Sequence, residues 1–226
     1  RIASLNVLVG NRNFAPVLDT IRSLDADVVV VVEVGREWGE RLADLDSLYP
    51  FREILPRGDA FGFAILSKHP LATSPSAGPA DGIPQLLGRI TRAEGDVWYV
   101  GATHVLPPVS PAAAALRDAD LRSWCDELAS VDAPAVLIGD FNDTPYSAPF
   151  RQRLADGRWH DSRIGFGIQP TWPASLGAFG IPIDHALLSN RVAAAARSTF
   201  PIPGSDHRGV LLDAVRVPVA ATTESS

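Results

Sequence analysis

The sequence predicts a layered α/β fold, with two packed β-sheets and helices on their outer faces. Three observations lead there. The first fifty residues alternate β-branched apolar runs with amphipathic segments in β-α-β-α order. The remainder is dense in short apolar strands, with few helical segments between them. Finally, 226 residues with 46% apolar or aromatic content suffice for one large core. Residues 1–216 read as a single domain, and 217–226 as a frayed tail.

Taken in order, RIASLNVLV opens the chain as a buried strand. In NFAPVLDTIRSLD, Phe14, Val17, Leu18, Ile21 and Leu24 recur at helical spacing, with Asn13 at the N-cap position. ADVVVVVEV is β-branched throughout, as in a strand covered on both faces. GREWGERLADLDSL returns to a helical pattern. FGFAILS, QLLGRITRAEG and DVWYVGATHV have strand composition, and AEGD reads as a hairpin turn. The longest helix is expected over SPAAAALRDADLRSWCDELASV, capped by Ser110 with Pro111 at its first position. APAVLIGD follows as a strand and SAPFRQRLAD as a short helix. IDHALLS, VAAAARSTFP and GVLLDAVRV complete the strands. The Pro/Gly-rich pieces 74–84, 106–111 and 165–182 read as surface loops. The last carries Phe166, Trp172 and Phe179, as the wall of a substrate site would.

Composition excludes several classes. The net charge is −6, so counterion release gains little and tight, nonspecific nucleic-acid binding is not expected. The lone Cys125 permits no internal disulfide and reads as a small buried hydrophobe. The longest apolar run, Val28 to Val32, is far too short to cross a bilayer. The chain lacks methionine and opens at Arg1 inside strand-like sequence, which suggests a trimmed or processed piece. The expectation is a monomer that is extracytoplasmic or anchored by a segment upstream of Arg1, or otherwise cytoplasmic.

Six strand ends carry a polar group: Asn6 in SLNVL, Glu33 in VVVEV, His104 in GATHV, Asp140 with Asn142 in GDFNDTP, Asp184 in IPIDHALL, and Asp206-His207 in GSDHRGV. Each alone has a bland reading as a turn, a cap or a satisfied structural histidine. Together they are costly to bury unless they converge on a cation. The oxygen ligands Asn6, Glu33 and Asp206 suit Mg²⁺ or Mn²⁺, and the histidines are then available for proton transfer. Asp140 and Asn142, two residues apart, can face the same side. Asp143 and Thr144 are assigned to local backbone bonding. A calcium loop is excluded, because Pro145 stands where its tight-turn glycine belongs and Arg151 where its bidentate acid belongs. A Gly-rich phosphate loop, a nucleophile elbow and paired cysteines are all lacking.

The ordered set SLNV, VVVVVEV, FAILSKHP, GATHV, GDFNDTP, IPIDHALLS and GSDHRGV resembles the endonuclease/exonuclease/phosphatase superfamily, the deoxyribonuclease-like metal-dependent phosphoesterases. It spans Asn6 to Val210, and within the superfamily it looks most like bacterial members of undefined substrate, often found behind membrane spans. The resemblance implies a four-layer sandwich of two mixed sheets flanked by helices, with the site at one sheet edge. It implies Glu33 as principal ligand of Mg²⁺ (or Mn²⁺), with Asn6 beside it and Asp206 on the same or a second ion. Asn142 would hold a phosphate oxygen, and Asp140 would orient or deprotonate water. Asp184 would pair with His207, the leading general base, and His104 would donate to a phosphate or leaving-group oxygen. Arg89 and Trp172 are secondary candidates for substrate contact, while His69 and His185 are left structural or at the surface. The expected function is metal-dependent hydrolysis of a phosphoester. The alternatives are a non-catalytic binding module on the same fold, or a DNA repair nuclease, against which His104 leans where the abasic-site branch carries tyrosine.

Overall fold

The computed structural model describes residues 1–79 and 83–218. The elements in order are β1 (Ile2–Asn6), α1 (Phe14–Leu24), β2 (Val28–Val32), α2 (Arg36–Leu42), β3 (Phe51–Leu55), β4 (Phe63–Ser67), β5 (Leu71–Ala77), β6 (Pro84–Thr91) and β7 (Val97–His104). Then come α3 (Pro111–Ala129), β8 (Ala135–Asp140), α4 (Ala148–Leu154), β9 (Trp159–Asp161), β10 (Asp184–Ser189), β11 (Val192–Pro201) and β12 (Arg208–Arg216). One sheet runs β11-β12-β1-β2-β4-β3 and the other β5-β6-β7-β8-β10-β9. Each contains one parallel pair, β1 with β2 and β7 with β8, among antiparallel neighbours.

Strand periodicity builds the layers. Along β2, Val28, Val30 and Val32 face the layer between the sheets, while Val29 and Val31 pack under α1 and α2. Along β8, Val136 and Ile138 face the inter-sheet layer, while Ala135 and Leu137 pack against α3 with Trp124 and Leu128. Three apolar layers therefore separate four structural ones, as the resemblance implied. Burying the central strands on both faces explains why ADVVVVVEV and APAVLIGD carry no polar alternation. Ser110 caps α3 as expected, its Oγ accepting the Ala113 N–H at 3.1 Å. Cys125 is buried, and burial pushes its thiol up to about 12, so it packs as a hydrophobe.

Some local expectations differ. β3, β5 and β9 have no counterpart in the sequence reading, and all three are edge strands. An edge strand is covered less completely and tolerates Arg52, Glu53 and Pro75, so no apolar run marks it. Of the expected loop 74–84, residues 74–77 belong to β5 and Pro84 to β6, while 80–82 lie outside the described residues. The expected tail likewise falls outside them from 219 onward. Asn13 occupies the N-cap of α1 without a side-chain capping bond; its own N–H donates to Asn11 Oδ1 instead. Among the described residues no helix is long and apolar enough to cross a membrane.

Candidate active site

Strand parity and register bring the polar strand ends together. Asn6 continues the inter-sheet face of Ile2, and His104 that of Val100 and Ala102. Asp140 continues Val136 and Ile138, and Asp184 precedes Ala186 and Leu188 on the same face. In the second sheet His104 pairs with Asp140 across β7–β8, and Asp184 with Asp140 across β8–β10. One row of that sheet thus presents an imidazole and two carboxylates toward the first sheet. Glu33 follows Val32 and by parity would turn toward the helices. Its φ of 63° breaks the strand and brings the carboxylate to Asn6 instead.

Asp140 and Asn6 link the sheets. The Asn6 amide donates to Glu33 Oε1 at 2.9 Å and to Asp140 Oδ2 at 3.2 Å. Both of its hydrogens are then committed, so the 3.4 Å approach of Asn6 Nδ2 to His207 Nε2 is a contact and not a third bond. Glu33 Oε2 accepts the Val9 N–H, and Asp140 Oδ1 accepts the Asn142 N–H at 2.8 Å. Asp140 Oδ2 lies 3.7 Å from the Nε2 of both His104 and His207. His207 Nδ1 donates to Asp184 Oδ2 at 2.9 Å. His104 Nδ1 lies 2.9 Å from the Ala60 carbonyl, which can only accept, so its Nε2 is the nitrogen facing Asp140.

Burial and charge shape the titration of this group. Burial, and next to it Asp184, raise the Asp140 carboxyl to about 6. Burial alone would lower His207, but the charge and hydrogen bond of Asp184 outweigh it and raise the imidazole to about 9. The pair is therefore an imidazolium held by a carboxylate at neutral pH. His185 is different: burial holds it down to about 4, its Nε2 donates to the Asp143 carbonyl, and it packs against Phe141 and Phe150. It is structural, as expected. His69 is partly exposed, 3.9 Å from Asp27.

Glu33, His104, Asp140 and His207 floor a cleft of about 820 Å³ whose walls include Phe61, Leu106, Pro107, Trp172, Ile181 and Ile183. Asn142 lines it from a left-handed backbone at φ 44°, with its Nδ2 donating to the Val105 carbonyl. Two expected contributors stand apart. Asp206 is exposed, does not line the cleft, and accepts the Trp172 indole N–H at 2.9 Å. The break after β11 turns it outward while its neighbour His207 turns in. Arg89 is exposed on β6 with its guanidinium on Thr91, also away from the cleft. Trp172 does line the cleft.

Arg117 was not anticipated from the sequence. It lies on the buried face of α3, lines the cleft, and donates to the Asn142 carbonyl at 2.9 Å. With Arg153 it brackets Asp118 and Asp143, and Asp143 Oδ2 also accepts from Ser147. Asp143 therefore does more than the local bond to Thr144 N–H, since it ties α4 to the turn after β8. The available signal was an arginine at a core-facing helical position, three residues before another buried polar group, Asp120.

The donor set fits a hard divalent cation. Glu33 and Asp140 line the cleft and Asp184 lies buried beside Asp140, which is raised first by its burial and then by the Asp184 charge. Asp140, Asp184 and His207 bring ligand atoms within 4.8 Å of one another. Asp184 Oδ2 already accepts from His207, and Glu33 accepts from Asn6 and Val9 while Asn6 Oδ1 accepts the Leu8 N–H; each of these oxygens keeps a second lone pair for an ion.

The model of the Endonuclease/Exonuclease/phosphatase family matches residues 3–207. No curated protein matches the chain. Among solved structures, the endonuclease/exonuclease/phosphatase from Beutenbergia cavernae DSM 12333 superposes with a TM-score of 0.77 at 22% identity, over 94% of this chain and 70% of that one. TDP2 from D. rerio complexed with single strand DNA product gives 0.77 at 18% identity, over 93% and 96%. The endonuclease/exonuclease/phosphatase from Bacteroides vulgatus gives 0.76 at 17% identity, over 96% and 98%. At these identities the likeness is one of fold. Members of the family are hydrolases that act on phosphoester bonds with divalent metals. A family match that spans both sheets, on a fold shared with these structures, makes the chain a member of the endonuclease/exonuclease/phosphatase family.

Proposed function

We propose that the protein is a Mg²⁺- or Mn²⁺-dependent hydrolase of phosphoester bonds, working at the cleft floored by Asp140. The observation that carries this reading is the convergence on one carboxylate of Asn6, His104 and His207, with Asp184 behind His207. Glu33 and Asn6 would hold the ion, which when bound supplies charge neutralisation and a template for an in-line displacement. A carboxylate raised to about 6 is ionised at neutral pH and more basic than an ordinary one, which suits Asp140 to take the proton of the attacking water. His207, protonated and held by Asp184, then supplies positive charge to a phosphate oxygen. This reverses the order expected from sequence, where His207 led as base. His104 offers Nε2 to the leaving oxygen, and the Asn142 amide to a phosphate oxygen. The water proton goes to Asp140, and His104, entering this step as an imidazolium with its Nδ1–H on the Ala60 carbonyl, gives its Nε2 proton to the departing alkoxide, so the reaction balances.

The walls favour a small or lipid-borne phosphoester over duplex DNA, since the chain is acidic and the cleft walls are largely apolar. A second reading, a nuclease acting on DNA, draws on the fold shared with TDP2 of D. rerio in complex with single strand DNA product. A panel of DNA, RNA, nucleotides, inositol phosphates and phospholipids, run with metal and with chelator, separates the two. Metal-dependent turnover is expected, falling about 100-fold or more in Glu33→Gln and His207→Asn. No hydrolysis across the panel, or undiminished turnover in both variants, would falsify the assignment.

A further inference from the structure

Two chain segments form the mouth of the cleft, and neither carries a charge. Residues 105–116 and 164–183 contain no Asp, Glu, Lys, Arg or His, in a chain whose charged content is 20%. The first contributes Leu106, Pro107 and Pro108 to the wall and leaves Val109 84% exposed. The second contributes Trp172, Ile181 and Ile183, and Trp172 and Ile181 are bridged so that 173–180 projects as a closed loop. At its tip Leu176 is 53% and Phe179 89% exposed. Scattered exposed apolar residues need no explanation, but two uncharged apolar segments continuous with an apolar wall mark an interaction surface.

We propose that these two loops dock on a neutral lipid surface and present the cleft to a phosphoester carried in that surface. Charge selects this occupant. A polyanion or an acidic bilayer would meet a protein of net charge −6 through segments that offer it no cation. A zwitterionic bilayer needs none, and apolar side chains with an indole whose N–H is satisfied by Asp206 suit its interface. The docking step stands on exposure and charge alone; its purpose, delivery of a lipid-borne phosphoester, rests on the hydrolase reading above.

The test uses the whole chain with phosphatidylcholine vesicles in chelator, so that no turnover is involved. Trp38, Trp98, Trp124 and Trp159 are buried and Trp172 is not, so indole emission reports this loop. The expected result is a blue shift of emission, quenching by brominated phosphatidylcholine, and little change with salt. Leu176→Asp with Phe179→Asp, both outside the cleft lining, should weaken vesicle partition by about tenfold or more. The same double variant should hydrolyse a small soluble phosphoester like the unaltered protein. Absence of vesicle binding, binding only to anionic vesicles, or undiminished binding in the double variant overturns the proposal. So does a protein partner that occupies the loops while bare vesicles do not. Loss of docking with soluble hydrolysis intact refutes only the lipid surface, whereas docking without any hydrolysis refutes only the enzyme.

Discussion

At the scale of residues, His207 and Asp140 carry opposite linkage signs. His207 titrates near 9 in the fold against an ordinary value of 6.5, so its contribution to stability is complete below pH 6.5 and is lost as pH rises through 9. The cause is Asp184 overcoming burial, and the total is on the order of 3 kcal/mol. Unfolding free energy from urea titrations in chelator should fall between those limits. Asp184→Asn should flatten that fall, and an equal slope in the variant would contradict the pairing. Asp140 is raised above its unfolded value, so its ionisation costs stability as pH rises from about 4 through 6. Asp140→Asn should therefore raise the midpoint of metal-free unfolding at pH 8 while abolishing turnover. A lower midpoint would mean that the carboxylate is stabilised in place, and not strained for use.

At the scale of elements, Gly139 shows why the apolar run APAVLI must pass through glycine before it reaches Asp140. Its φ is 145°, and a Cβ there would sit well inside contact with the Thr103 carbonyl of the parallel neighbour β7. The close approach of β7 and β8 at this level sets His104 opposite Asp140. Gly139→Ala should cost about 3 kcal/mol or more in urea unfolding, from steric overlap and from backbone strain. It should also lower kcat in whatever protein still folds, because the row of His104, Asp140 and Asp184 depends on this spacing. A variant of ordinary stability would show that the strands part at no cost. Similar local constraint operates at Glu33 and Asn142, both at positive φ without being glycine, where the site and not the element dictates the backbone.

At the scale of the molecule, the cleft belongs to neither sheet alone. The bond from Asn6 to Asp140 joins residues far apart in sequence and crosses from one sheet to the other. A cation bound by Glu33 and Asn6 near Asp140 would then brace the sheets against each other. Added Mn²⁺ or Mg²⁺ should raise the thermal midpoint, by about 2.7 kcal/mol of stabilisation at a concentration 100 times Kd. Glu33→Gln should remove most of that gain; an identical shift in the variant would place the ion elsewhere. The apolar mouth formed by 105–116 and 164–183 is likewise assembled from two distant segments, one from each side of β8.

The sequence by itself marked the central strands and the polar groups at their ends. Val28–Val32 and Ala135–Asp140 are legible because burial on both faces demands unbroken apolar runs, and each ends where its polar residue stands. Asn6, Glu33, His104, Asp140, Asp184 and His207 were all identifiable as polar groups too costly to bury alone. Only the tertiary structure decided which of them meet. Register set His104, Asp140 and Asp184 in one row, and a left-handed residue swung Glu33 out of its strand's parity. It also left Asp206 outside on the Trp172 indole and brought Arg117 from the side of a helix to the cleft. The edge strands β3 and β5 escaped for the complementary reason, being partly exposed and so free of the apolar pattern, and β9, though mostly buried, spans only three residues, too few to show a period. Periodicity along a chain reports how each segment is covered, whereas strand order and crossing contacts are non-local and appear only once the sheets have packed.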